Sequence, residues 1–582
     1  MGLVKMAKFL CFLLILISFF VGKPVYADSL GQRTNFNVNP EFDKYERTSL
    51  TATLRHIGEN LYFYIEDSYW DGLGFAGQNS LLTNIKFLAD EFDKNIYPKE
   101  TALWGSEPKP GIDGDPKITI LLEELLTNNG GYFDTANGYA KESSKDSNER
   151  EMISLNAEVL VSDSFVEKMF LAHEFQHLIS FNQKELINNS SEDVWLNELR
   201  SEYSISVAGY NDSYPNSNLD RRAYIFSGNQ SDSLTEWPNK NSDYAMVALF
   251  AEYLVEQFGP NILSEMLRSS LTGISSLNKY FTDKGYYSPS SAPSGGSGFG
   301  EVFLNWLGAL YLNDVSKNIK LGYKRTELKN IKASPQQRIY LSSGLREYSS
   351  THYLKDWQPL WLEFDMSAIS SDQSKSARID INGEPGQNFI ASYLAFYESG
   401  KVVLGKALQS GSGQGSGYVL NSDSRLNKVV VLATKSTKTS GFGKIETPNY
   451  LNVKVSMVET KNAQANTLKD GALIKRPREK EIYVIWGKYK RYLNPGVIAL
   501  YGHLDPSSAI ELEPEIFNSY QTSNYVKYAN DEKVYAVWPD STKHWLHITP
   551  QQWDASSRDW NAIFTINDLE LNFYKTGVDI TR

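Results

Sequence analysis

The sequence predicts an α+β multidomain protein, and three observations carry that reading. Strand-like and helix-like segments mix through roughly the first 330 residues; short strand-like segments dominate afterwards; and an internal repeat closes the chain. The first 27 residues stand apart as a secretory signal peptide. Lys5 and Lys8 supply the positive start, Phe9 to Val21 the apolar core, and Val25-Tyr26-Ala27 a small-residue cleavage site. That apolar run, about 13 residues, is short of the roughly 20 that a membrane span needs. The single cysteine, Cys11, lies inside it, so a mature chain starting at Asp28 has no disulfide and relies on packed cores and bound metal.

Segments 28–160 read as a small sheet with helices on it. Leu61–Ile65 and Lys117–Leu122 are strands, Leu81–Phe92 has helical spacing, and Gly130–Phe133 and Met152–Leu155 are two short strands. From 161 to 337 the period becomes helical: Ser162–Phe181, Asp193–Ala208, Tyr244–Gln257, Pro260–Ser275 and Gly300–Leu312, with a Ser/Pro/Gly loop over 288–297. Residues 338–465 alternate as strands, for instance Leu360–Phe364, Val402–Leu404 and Lys428–Leu432, with Ser410–Gly417 as a turn-rich link. They are expected to form a β-sandwich. Over 466–582, Lys475, Ile482–Trp486 and Lys490–Leu493 recur as Lys527, Val534–Trp538 and Lys543–Leu546. The period is 52 to 53 residues, each copy being a β-hairpin followed by an irregular segment. Such tandem modules suit either a surface or cell-wall ligand or a stabilising spacer.

The net charge is −11, and loss of Lys5, Lys8 and Lys23 with the leader takes it to −14. An acidic surface argues against nucleic acid or anionic lipid as main partner. It is compatible with calcium, for which Asp113 and Asp115 in a Gly-Asp turn are candidates, although two acids in a turn are more often simply a turn.

The chemistry centres on His173-Glu174-Phe175-Gln176-His177. Residues four apart share one face of a helix, so two imidazoles can bind one zinc while the glutamate between them reaches a water. Apolar flanks Met169–Ala172 and Leu178-Ile179 bury that helix, and buried imidazoles need partners. A second helix follows with Glu198 and Glu202, again four apart; one can ligate the zinc and the other accept a ligand imidazole's free N–H.

His-Glu-x-x-His followed by Asn197-Glu198-x-x-Ser201-Glu202 resembles the gluzincin metallopeptidases, the clan of thermolysin and the zinc aminopeptidases. Residues 152–198, with their Ala-His-Glu-Phe-Gln-His-Leu core, look like the hyicolysin family of secreted bacterial metallopeptidases, a similarity covering roughly residues 51–259. The resemblance implies a thermolysin-like catalytic unit with His173, His177 and Glu198 as zinc ligands, Glu174 as general base and Glu202 beside His173. It departs in one place: Leu199 stands where these families often have Gly. Similarity to the aminopeptidase helix that begins with a transition-state tyrosine makes Tyr244 the candidate oxyanion donor, with Tyr203, Tyr210 and Arg200 as weaker alternatives. The clan also implies that Gly130–Phe133 is an edge strand that pairs with substrate backbone. The expected activity is hydrolysis of protein or peptide substrates, internally, since the Gly-x-Met-Glu-Asn run of the aminopeptidases is absent. The rival classes are a zinc-holding but inactive adhesin acting through its C-terminal modules, against which the intact Glu174 weighs, and a non-peptidase hydrolase.

Overall fold

A computed structural model describes residues 27–581 except 128, 163, 287–297, 368–369, 373, 406–407, 410–413, 422–424, 461–467, 469, 513, 530 and 557. The leader up to residue 26 and the 288–297 loop therefore lie outside the described residues.

The first sheet has six strands: β1 (Arg33–Asn37), β2 (Ser49–Ile57), β3 (Leu61–Glu66), β4 (Ile118–Glu123), β5 (Gly131–Tyr132) and β6 (Met152–Asn156), in the order β1-β2-β3-β4-β6-β5. The strands β3, β4 and β6 run parallel and are buried along their whole length, as expected of strands covered on both faces. Short β5 closes the sheet antiparallel to β6 and is its edge. Helix α1 (Phe75–Glu91) starts six residues before the expected Leu81, because its first turn is exposed and carries no apolar period; Phe75 is 81% exposed. Its buried side, Leu81, Ile85, Leu88 and Ala89, covers the sheet.

Helices α2 (Ser164–Ser180), α3 (Val194–Val207), α4 (Asn218–Gly228) and α5 (Asn241–Phe258) pack side by side. The central α5 is buried almost all round, from Ser242 to Leu254 apart from Tyr244, and stops at Gly259, whose φ of 83° few other residues adopt. The single helix expected over Pro260–Ser275 is two, α6 (Asn261–Leu267) and α7 (Gly273–Asp283). The reason is a buried ion pair. Lys184 Nζ donates to the carbonyls of Ser269 (2.8 Å) and Leu271 (2.6 Å), and Glu192, its partner at 3.2 Å, accepts the Gly273 N–H at 2.7 Å. Those side chains take backbone groups that a continuous helix would use internally. Helix α8 (Gly298–Leu312) follows.

The next region has two facing sheets. Its strands are β7 (Gln337–Tyr340), β8 (Glu347–Leu354), β9 (Leu360–Asp365), β10 (Lys375–Gly383), β11 (Phe389–Tyr397), β12 (Val402–Leu404), β13 (Leu408–Gln409), β14 (Gln414–Val419), β15 (Leu426–Lys435) and β16 (Asn449–Glu459). One sheet runs β14-β10-β16-β8, the other β12-β11-β15-β9-β7 with β13 on β11. Ile379, Ile381, Val453 and Val455 of the first share a core with Leu362, Phe364, Val429 and Val431 of the second. Of the link expected over Ser410–Gly417, residues 410–413 lie outside the described residues, and Gln414–Gly417 is strand, not turn. Gly417 is packed under Leu408, whose methyl a Cβ would approach within 2.8 Å. The outer face of the second sheet is covered by the helices: Trp357, Trp361, Leu394 and Leu432 belong to the same apolar cluster as Phe299, Phe303 and Trp306.

Two five-stranded sheets complete the chain. The first holds β17 (Leu473–Lys475), β18 (Ile482–Trp486), β19 (Tyr489–Leu493), β20 (Ile510–Glu511) and β21 (Gln521–Thr522); the second holds β22 (Tyr525–Tyr528), β23 (Val534–Val537), β24 (Thr542–Trp545), β25 (Ile563–Ile566) and β26 (Lys575–Thr576). Their orders correspond, β20-β17-β18-β19-β21 and β25-β22-β23-β24-β26. The segments after each hairpin, expected to be irregular, carry short helices and strands that lie parallel along the hairpin's flanks. Among the described residues no helix is long and apolar enough to cross a membrane.

Candidate metal centre and cleft

Helix α2 brings His173, Glu174 and His177 to one place because the rest of its surface is core: Leu171, Ala172, Phe175, Leu178 and Ile179 are at most 1% exposed. Helix α3 packs across it and turns Glu198, Ser201 and Glu202 toward the imidazoles. The Nε2 atoms of His173 and His177 are 3.2 Å apart, and Glu198 Oε2 lies 3.2 Å from the first and 3.6 Å from the second. Three ligands at about 2.0–2.1 Å from one tetrahedral ion stand about 3.3 Å apart, which the observed triangle matches. Glu198 Oε2 is also buried, with the two ring nitrogens as its near neighbours and no geometrically formed hydrogen bond. The donor set therefore fits a zinc ion, and among the described residues it is the one group of three or more His, Cys, Asp or Glu able to hold a metal.

The surrounding bonds fix these donors. His177 Nδ1 is 3.1 Å from Ser201 Oγ, which donates to Gln176 Oε1 at 2.7 Å; the hydroxyl is thus free to accept the Nδ1 proton, leaving the Nε2 lone pair on the triangle. Glu202 Oε1 is 3.6 Å from His173 Nδ1, while its carboxylate accepts from Arg222 (2.5 and 2.8 Å) and Asn218 (2.8 Å) on α4. Burial would raise the Glu198 carboxyl, but the two imidazoles outweigh it and hold it far below the ordinary range. Burial would lower His173, yet Glu198, Glu174 and Glu202 push it up to about 9. Glu174 moves upward because burial dominates over the imidazoles.

A cavity of about 440 Å³ opens on this cluster. Gly131, Tyr132 and Phe133 of the sheet edge form one wall, and the Phe133 backbone donates to Glu174. Gly130 and Gly131 are needed there: a Cβ on Gly130 would meet the Phe170 ring at 2.1 Å, and one on Gly131 the Ser154 carbonyl at 2.8 Å. Trp237, Pro238, Asn239 and Tyr244 form the opposite wall. The Tyr244 ring centroid is 6.4 Å from that of His173, Arg222 lies over its face at 4.8 Å, and its hydroxyl donates to Asn239 Oδ1 at 2.8 Å. The weaker alternatives to Tyr244 lie outside the cavity. Tyr210 donates to Glu91, Arg200 is buried on Glu192, and Tyr203 is not at the lining. Asp113 and Asp115 accept hydrogen bonds from their own turn and from Tyr62, so their carboxylates serve the turn.

Sequence reasoning missed Ser201, Arg222, Asn218 and Asn239. Ser201 had a signal, being three residues from Glu198 on the same helical face; the others depend on α4 and on a loop for which local pattern gave none.

In sequence, the chain is 28% identical over 267 residues to the neutral metalloprotease ShpI of Staphylococcus hyicus, a stretch covering 40% of this chain and 54% of that protein. That relative is a metalloprotease. The chain spans about half of its length. No family model matches. Solved structures that resemble part of the chain include the periplasmic lysozyme inhibitor PliG of Aeromonas hydrophila (11% identity, TM-score 0.15) and the surface-associated copper-binding protein CorA of Methylomicrobium album BG8 (9%, 0.15). A third is the pre-peptidase C-terminal domain of collagenase from Bacillus anthracis (11%, 0.14). Each covers 22% of this chain and 99–100% of its own, and at such scores none bears on the fold.

Proposed function

We propose that the chain is a secreted zinc metallopeptidase that cuts internal peptide bonds, exported by the 1–27 leader and organised as the gluzincins it resembles. The observation that carries the reading is the His173–His177–Glu198 triangle, opening on a cleft with Glu174 beside it. The likeness to a neutral metalloprotease supports it.

Zinc held by those three side chains would supply a Lewis acid that lowers the pKa of a water toward neutrality and polarises a carbonyl. The rest falls to the protein. An extended substrate adds to the free edge of β5, which is paired only with β6. Glu174, steered by the Phe133 N–H, removes a proton from the attacking water and returns it to the leaving amine. The Tyr244 hydroxyl leaves Asn239 to donate to the oxygen that gains charge. Burial and the carboxylates of Glu198, Glu202 and Glu174 push the Tyr244 phenol upward, which keeps it protonated as a donor. Ser201 and Glu202 hold the two imidazoles in position.

The test is casein hydrolysis by the purified protein with and without a chelator, beside Glu174→Gln. Hydrolysis should vanish with the chelator and return with zinc, and Glu174→Gln should retain zinc while losing about 10²- to 10⁴-fold in rate. An N-blocked peptide cut internally supports endopeptidase action. Chelator-insensitive cleavage would sink the reading.

A further inference from the structure

The loop between β15 and β16 is clamped to the helical region at several points. Asp193 Oδ1 accepts the Gly441 N–H at 3.2 Å, Thr439 O accepts from Ile274 at 3.2 Å, and Gly443 O accepts from Trp237 at 3.2 Å. Glu236, 1% exposed, accepts the Glu446 N–H at 2.7 Å while Lys355 neutralises it at 2.6 Å. Glu446 in turn accepts from Gly443 N at 2.6 Å and from Lys438 at 2.8 Å. Between the two fixed points, Gly443 and Glu446, only Lys444 and Ile445 project. Ile445 is 84% exposed, and exposed Lys444 lines the cavity that holds His173 and Glu174.

The cleft's other lysine is committed: Lys184 is spent on Glu192 and on the carbonyls of Ser269 and Leu271. Among the described residues Lys444 is the cleft's one uncommitted cation. Its backbone is already ordered by the clamp, so engaging a ligand costs only the freedom of its side chain.

We propose that this β-sandwich loop forms part of the substrate-binding wall and that Lys444 selects peptides presenting a carboxylate, an acidic side chain or a free C-terminus, near the scissile bond. The inference rests on the peptidase reading and deepens it. Lys444 is a specificity residue supplied from some 270 positions beyond the His173 motif.

The test uses N-blocked, internally quenched peptides that differ only by Glu or Gln at each of the positions flanking the cleaved bond, with free and amidated C-termini. In the wild-type chain one Glu position, or the free C-terminus, should raise kcat/KM. In Lys444→Ala that preference should fall about five-fold, the upper range for an exposed ion pair. It should invert in Lys444→Glu and persist in Lys444→Arg. Raised salt should erode it in the wild type and leave Lys444→Ala unchanged. A preference lost only on amidation identifies the C-terminal carboxylate; one that follows Glu against Gln identifies a side chain. Equal preferences in all four proteins overturn the inference. The affinity of the same peptides for Glu174→Gln gives the ratio without turnover, so a wild-type protein that cuts no peptide would defeat the peptidase reading while the role of Lys444 is still read from binding.

Discussion

Glu198 and Glu570 are both carboxylates taken largely out of water, and the protein serves them in opposite ways. Glu570 is 0% exposed, and every acceptor site is used: Arg491 donates at 2.6 and 3.3 Å, Tyr574 at 2.9 Å and Tyr501 at 2.5 Å. Arg491 and Tyr501 belong to the first C-terminal sheet region and Glu570 to the second, so this closed network bolts the two together beside a shared apolar cluster. Glu198 instead faces two ring nitrogens that face each other, and its Oε2 is left without a hydrogen bond. A buried carboxylate that is fully bonded is structural; one whose neighbours converge on a common point is short of a cation.

Paired substitutions test this contrast most severely. Glu198→Ala should abolish tight zinc binding, measured by elemental analysis after dialysis, and with it the rise in melting temperature that added zinc gives the wild type. Glu570→Ala should leave zinc content intact and instead cost about 3–5 kcal/mol in the unfolding of the C-terminal region, because it strands Arg491 without its counter-charge. If Glu198→Ala keeps its zinc, or Glu570→Ala loses it, the distinction between open and closed carboxylates fails. Next in size is Ser201→Ala. Removing the hydroxyl that fixes the His177 ring should weaken zinc affinity about 10- to 100-fold in competition with a chelator, without changing the fold by circular dichroism.

What could be read from the sequence divides along the same line. The triangle was legible because each half is local: two imidazoles four apart on an apolar helix, and Glu198 and Glu202 four apart on the next. The edge strand was legible from a Gly-Gly-aromatic run, and the central strands from continuous apolar stretches. The partners that close networks were not. Arg222 reaches Glu202 from a separate helix 20 residues on, and Arg491 meets Glu570 across 79 residues. The break between α6 and α7 was hidden for the same reason, since its cause, Lys184, lies more than 80 residues upstream. Lys444 is the extreme case: a lysine between Gly and Ile in a loop has no local signature, and only the clamp through Glu236 and Glu446 puts it in the cleft.

Glu123 is an intermediate case and gives the smallest expected effect. It ends β4 beside the cleft's edge strand, where Oε1 accepts the Tyr132 hydroxyl at 3.1 Å while Oε2 has no partner. Burial raises its carboxyl to about 7, with hydrogen bonds from Ser154 and Tyr132 offsetting only part of the rise. The folded state thus holds this proton more tightly than the unfolded chain, whose carboxyl titrates near the ordinary glutamate value of 4.5. The stabilisation it contributes is full below that value and is lost as pH rises through about 7, the reverse of a salt-bridged acid. Glu123→Gln keeps an acceptor for Tyr132 and removes the titration. The wild-type melting temperature, followed from pH 5 to 8 with a chelator present so that zinc binding does not titrate alongside, should fall about 2–4 °C more than that of the variant. Parallel curves would mean that the unbonded oxygen reaches water, and that Glu123 belongs with the fully served carboxylates instead.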